Sequence, residues 1–282
     1  MPDNNFILIS NQRCGSTWFI TSVGNCKMVE TDYEVKWSKD LLLGKPSPYH
    51  FFLKEDKIEN IFKKLSSINN NNTKYGTKFV FDFYKPFPVN NYKKFYNKFE
   101  KHKIVHISRD YIDILKSKLI GKVTHFLDSN NIENKRLIDN TILDKQEEYK
   151  KTLESSKISN QQINFQAASS YLLNLFINDV LALSLKNRNK FMNIKYEEIK
   201  TKMFEISNFL KVPLNELNEN FFEKPTIKKN KIRYKNNFEN FEELKKININ
   251  LKDKMELLKT NEFKFEKIIS YDLSTKKINI NI

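Results

Sequence analysis

The sequence predicts an α/β protein built on a mostly parallel central sheet with helices on both faces. Two observations carry this expectation. Short apolar runs alternate with longer segments of helical apolar spacing. Two of the runs end in a tight polar turn that opens straight into a helix, the signature of a strand-turn-helix unit. Strands are expected at residues 6–10, 78–83, 103–108 and 190–195, and helices at 16–24, 54–66, 90–101, 110–120, 161–187 and 196–210. At 282 residues the chain can bury one substantial core, and no Pro-rich or Gly/Ser-rich linker or internal repeat divides it. Residues 1–282 are therefore expected to form a single domain.

The first unit is the most informative. Phe6 to Ile9 is an apolar run that gives way to Asn11, Gln12 and Arg13, then to Gly15, Ser16 and Thr17, and then to apolar residues at helical spacing. A helix that starts here presents unpaired N–H groups and the positive end of its dipole, so an anion is attracted to its first turn. Arg13 adds a planar cationic fork, and Ser16 and Thr17 add hydroxyl donors. A nucleotide-triphosphate loop would need G-x-x-x-x-G-K-[ST], but the segment has the single Gly15 and no lysine after it. A cysteine phosphatase would use Cys14 as a thiolate and would want an arginine six residues on, where Ile20 stands.

Further along, the polar run at 66–73 (SSINNNNT) leads as a loop into the strand near 78–83. The strand over Ile104 to Ile107 ends in Ser108-Arg109-Asp110 and feeds a helix. Ser117 lies eight residues after Arg109, slightly over two helical turns, and so near the line of the helix start. Residues 128–160 are rich in Asn, Lys and Glu and read either as elements near an active-site mouth or as a solvated insert. The strand at 190–195 runs into Lys195-Tyr196-Glu197-Glu198-Ile199, and the helix after it ends in Phe209-Leu210 before Pro213.

These three segments together resemble the sulfotransferase family. Arg13-Cys14-Gly15-Ser16-Thr17-Trp18 resembles the family's phosphosulfate loop at every position, and Arg109 with Ser117 is similar to its 3′-phosphate motif. The Lys195 to Pro213 segment is similar to a third family pattern, and the resemblance runs in order from about residue 6 to residue 240. It implies a nucleotide-kinase-like, P-loop-related sulfotransferase fold. The implied cofactor is 3′-phosphoadenosine 5′-phosphosulfate, which leaves adenosine 3′,5′-bisphosphate as product, and the implied acceptor is a hydroxyl or amine of a small molecule or carbohydrate. The family pattern assigns Arg13, Cys14, Gly15, Ser16, Thr17 and Trp18 to the 5′-phosphosulfate and Arg109 and Ser117 to the 3′-phosphate. Arg13 is also expected to stabilise charge on the leaving oxygen. The basic loop at 224–235 is similar to the family's closing loop and adds Lys229 and Arg233. The Asn240-Phe241-Glu242-Glu243-Leu244 segment after it resembles the helix start that follows that loop. No metal is implied, because a sulfuryl group carries less charge than a phosphoryl group.

The base is less defined. Animal relatives place a histidine after the middle strand, and GTKFVFDFYKPFP here has none. The resemblance to bacterial and carbohydrate sulfotransferases points to Glu30, with Glu34 as its neighbour; Asp82, at the end of a strand, is the other candidate. Lys78 and Lys85 are expected to help hold the sulfuryl group, and His106 reads as a strand-core residue. His50 and His125 have no assigned place, and Tyr49, Phe51 and Phe52 read as core or as a pocket wall.

Composition bounds the alternatives. The net charge of +15 would suit nucleic acid. However, only five of the 49 basic residues are arginine (Arg13, Arg109, Arg136, Arg188 and Arg233), and the rest are lysines accompanied by abundant Asn and Ile. Such charge, expected of an AT-rich genome, spreads over solvated faces, so no nucleic-acid partner is expected. Two of the five arginines fall in the anion motifs. Cys14 and Cys26 form neither a disulfide framework nor a zinc spacing, and no uninterrupted apolar run reaches the ~18 residues of a membrane span. A cytoplasmic enzyme of prokaryotic or viral origin without a membrane anchor is expected, and the oligomeric state is left open. Two other readings stay in view: a nucleotide-dependent kinase of the same fold superfamily, and a basic nucleic-acid-binding protein.

Overall fold

The computed structural model describes residues 5–31, 73–81, 102–117, 164–187, 190–222, 238–260, 268–272 and 277–280. Five strands form one parallel sheet: β1 (Phe6–Asn11), β2 (Val29–Thr31), β3 (Lys74–Phe81), β4 (Lys103–Ser108) and β5 (Phe191–Lys195), in the spatial order β2-β3-β1-β4-β5. The chain is thus an α/β protein with a parallel sheet, as its alternating pattern predicts. The chain moves from β1 out to β2, returns to β3 beside β1, and then crosses to β4 on β1's other side. Right-handed crossovers that travel in opposite directions put their helices on opposite faces, and the crevice between β1 and β4 becomes the switch point where ligands bind in such sheets.

Every residue of β1 and β3 is buried, which requires cover on both faces. Helix α1 (Ser16–Gly24) follows β1, a helix over residues 111–117 (α2) follows β4, and α3 (Phe165–Leu183) precedes β5 and packs on β1 and β4. Asn164 caps α3 by accepting from the Gln166 and Ala167 amides at 2.8 and 3.3 Å. The segment Phe165–Lys186 is long and apolar enough to cross a membrane, yet most of it is buried in the fold, as befits a core helix.

After β5 come α4 (Met203–Leu210), α5 (Leu214–Phe222) and α6 (Phe241–Thr260). Phe221 of α5 meets Trp18 and Phe19 of α1 edge-on at 5.3 and 5.5 Å, and α6 packs on α3. A separate antiparallel hairpin, β6 (Ile269–Asp272) with β7 (Lys277–Ile280), ends the described part of the chain.

Two expected elements need correction. The strand expected at 78–83 starts earlier, at Lys74, because Lys74, Thr77 and Lys78 are polar residues buried within it. The helix expected at 196–210 is split into a single 3₁₀ turn at Tyr196–Glu198 and α4. The helices expected at 54–66 and 90–101 and the segment 128–160 lie outside the described residues.

Candidate anion site at the carboxyl ends of β1 and β4

The two loops that sequence reasoning singled out meet at the switch point. Arg13 follows β1 with φ 67, and Gly15, with φ 81, caps α1 without any side-chain hydrogen bond. Arg13 donates from Nε to Ser117 Oγ and from Nη2 to the Ser117 carbonyl, both at 3.2 Å, and Arg109 Nη1 donates to the Arg13 carbonyl at 3.1 Å. Arg13, Arg109 and Ser117 therefore form one interlocked cluster, although 96 residues separate the two arginines in sequence.

Tyr196 forms the wall of this cluster. Its ring lies 4.5 Å under the Arg109 guanidinium, in the range of a cation–π contact, and 5.9 Å from Trp18. It also lies so close over Gly15 that a Cβ there would run into its ring. Only glycine satisfies both the left-handed backbone and this contact. The place of Tyr196, within the Lys-Tyr-Glu-Glu-Ile motif, over Gly15 and under Arg109 depends on tertiary packing and has no local signal.

Lys78 reaches the same point from β3. It is buried, and its ammonium donates to Thr17 Oγ1 at 3.1 Å in the first turn of α1. The triphosphate-type lysine missing after Gly15 is thus matched by a lysine from the neighbouring strand.

The remaining predicted site residues divide clearly. Ser16 is buried and Thr17 exposed at the α1 start. Cys14 is fully buried, and that burial, with the charge of Asp179 second, pushes its thiol well above the ordinary range. The Cys14 side chain belongs to the core, as does that of Trp18; any contact these two make with an anion is through the backbone. Glu30 is exposed on β2, opposite Tyr75 in register, and Tyr75 in turn accompanies the amino end of β1. That is roughly 20 Å of strand away from the Arg13 loop. The expectation of Glu30 as the base is corrected accordingly: it stands at the wrong end of the sheet. Asp82, Glu34, Lys85, Lys229, Arg233, His50, His125, Tyr49, Phe51 and Phe52 lie outside the described residues.

Three features favour an anion at this cluster. The first-turn amides of α1 have no side-chain cap, and the turn holds no acidic residue. Among the described residues Arg109 Nε is buried without a hydrogen-bond partner, with the Glu197 carboxylate 3.9 Å away. Arg13, Arg109 and Lys78 add positive charge at a helix end that is already positive. Among the described residues, no group of three His, Cys, Asp or Glu side chains is arranged to hold a metal ion.

Behind the cluster lies a buried polar network that sequence reasoning missed. Asn11, the last residue of β1, donates to Asp179 Oδ1 at 2.7 Å and to the Leu175 carbonyl at 3.0 Å, and accepts from Asn178 at 3.0 Å. His106 faces Asp179 Oδ1 at 3.1 Å and Asn193 Oδ1 at 2.9 Å through its two ring nitrogens. His106 is thus a strand-core residue, but a fully partnered one. The available signal was Asn178-Asp179 standing in the apolar run LLNLFINDVLAL.

No family model matches the chain, and no curated protein matches it either. Among solved structures it is similar to a sulfotransferase from Alicyclobacillus acidocaldarius (14% identity over 92% of this chain and 96% of that one, TM-score 0.48). It is also similar to the mouse sulfotransferase SULT7A1 complexed with PAP (13% identity over 91% of this chain and 90% of that one, TM-score 0.41). At such identities and overlay scores, function is read from this chain's own residues.

Proposed function

We propose that the chain is a sulfotransferase that takes its sulfuryl group from 3′-phosphoadenosine 5′-phosphosulfate and passes it to a hydroxyl or amine of a small molecule or carbohydrate. One observation supports this above the others. Arg13, Arg109 and Ser117 interlock across the β1/β4 crevice beside a helix N-terminus that no side chain caps, which suits a ligand with two separated phosphate groups. When bound, the cofactor would supply an activated sulfuryl group on its 5′-phosphate.

The chain's own residues would do the rest. The α1 amides with the Ser16 and Thr17 hydroxyls hold the 5′ end, and Arg109 and Ser117 hold the 3′-phosphate. Arg13, and Lys78 beside Thr17, counter the negative charge that grows on the leaving oxygen. Positioning and charge stabilisation dominate such transfers, as they do for phosphoryl groups. Asp82, which directly follows β3 in sequence, is the proposed base.

Titration calorimetry tests the reading. Adenosine 3′,5′-bisphosphate should bind without metal and more tightly than ATP with magnesium. Preference for ATP, with no gain from the 3′-phosphate, would replace the sulfotransferase reading with a kinase. Salt-sensitive binding of DNA or RNA that persists in the Arg13→Ala/Arg109→Ala double variant would favour the nucleic-acid reading instead.

A further inference from the structure

We propose that Asp179 is a positioning residue that sets the distance between the two cationic loops. The proposal rests on the reading that both loops grip one ligand through its two phosphates. Asp179 sits on α3, almost wholly buried, and has neighbours on three different segments. Asn11 donates to it from the end of β1, two residues before Arg13. Tyr111 lies beside it at the start of α2, two residues after Arg109: burial, with the Asp179 charge second, pushes its phenol well above the ordinary range. His106 meets it from β4. One carboxylate therefore ties together the residues that flank both arginines, from the side of the sheet covered by α3.

A core packing role alone does not call for this arrangement. Apolar residues of similar volume fill a core at least as well as buried charge, and an isolated buried carboxylate is costly. Asn11 and His106 make the carboxylate tolerable, and both lie on the two units whose carboxyl ends carry the site. What the carboxylate adds is directional: it fixes Asn11 relative to His106, three residues before Arg109, and hence the Arg13 loop relative to Arg109. A ligand with a single phosphate needs only one loop and is indifferent to that spacing. A ligand with two phosphates is not.

The experiment compares adenosine 3′,5′-bisphosphate with adenosine 5′-phosphate by calorimetry on the full chain, in the wild type, Asp179→Asn and Tyr111→Phe. The wild type should prefer the bisphosphate. In both variants that preference should fall by about tenfold or more, while 5′-phosphate binding stays near the wild-type value. A role confined to stability would lower the melting temperature and leave the preference intact in the folded protein, which would overturn the proposal. Tyr111→Phe removes one hydroxyl and keeps the packing, so it decides the matter if Asp179→Asn does not fold. A wild type with no preference for the bisphosphate overturns the underlying sulfotransferase reading, and this proposal with it.

Discussion

The two ends of the sheet use basic residues in opposite ways. At the amino ends, Lys74 of β3 and Lys103 of β4 are buried and point at the C-terminus of α4: Lys103 donates to the Phe209 carbonyl at 2.8 Å, and Lys74 donates to the Lys211 carbonyl. Burial, with the Lys211 charge second, pulls the Lys74 pKa down. These cations meet the negative end of a helix and its unpaired carbonyls, so their charge is used inside the fold. At the carboxyl ends, Arg13, Arg109 and Lys78 stand around the positive end of α1, with no acidic residue in its first turn. Cations set against a helix C-terminus are structural, whereas cations gathered at a helix N-terminus add to its positive potential and favour an anion there. A basic composition says nothing about this difference; the helix pole that each cation faces does.

Substitutions at the two ends should therefore separate binding from stability. The largest effect is expected for Arg109→Ala and Arg13→Ala, each lowering affinity for adenosine 3′,5′-bisphosphate by about 100-fold with little change in melting temperature. Equal affinity in either variant would remove that arginine from the site. Gly15→Ala should affect both properties, because it forces a side chain into the left-handed region and against Tyr196. A cost of ~1–3 kcal/mol in unfolding experiments is expected, together with weakened binding. Lys103→Met should show the opposite end's behaviour: ~1–2 kcal/mol of stability lost through the orphaned Phe209 carbonyl, with bisphosphate affinity unchanged.

A smaller effect concerns how α6 docks onto the site. Burial raises the pKa of Asp110, but hydrogen bonds from Asn248 and Lys252 outweigh it and hold the carboxyl below its ordinary range. A depressed carboxyl stabilises the fold fully above its unfolded value of about 3.9 and loses that contribution as pH falls through the folded value. The stability gap between wild type and Asp110→Asn should therefore be constant near neutrality and close in acid; a gap that does not change with pH would refute the assignment. The smallest effect is expected for Glu197→Gln. Relieving Arg109 of an exposed carboxylate 3.9 Å away should raise bisphosphate affinity by less than about threefold.

The parts of this molecule legible in sequence are those where one local segment carries the whole signal. The β1 turn is marked by an apolar run broken by Arg13 and Gly15, and the β4 turn by Ser108-Arg109-Asp110. β2 is three residues long and gives no periodic signal, and β3 was read late because buried lysines interrupt its apolar pattern. Glu30 shares this illegibility: β2 alone decides that it stands at the amino end of the sheet, opposite Tyr75. Tyr196 and Asp179 reach the site across long sequence separations, and contacts of that kind leave no local periodicity to read.

The Asn178-Asp179 pair in α3 has a consequence for the chain before it folds. Phe165–Lys186 matches a transmembrane helix in length and apolar character. An aspartate near the middle of such a segment opposes bilayer insertion by about 2.5–3.5 kcal/mol. The carboxylate that ties the two loops together in the finished fold thus also makes this helix a poor candidate for the lipid bilayer while the nascent chain has yet to form the sheet that will bury it.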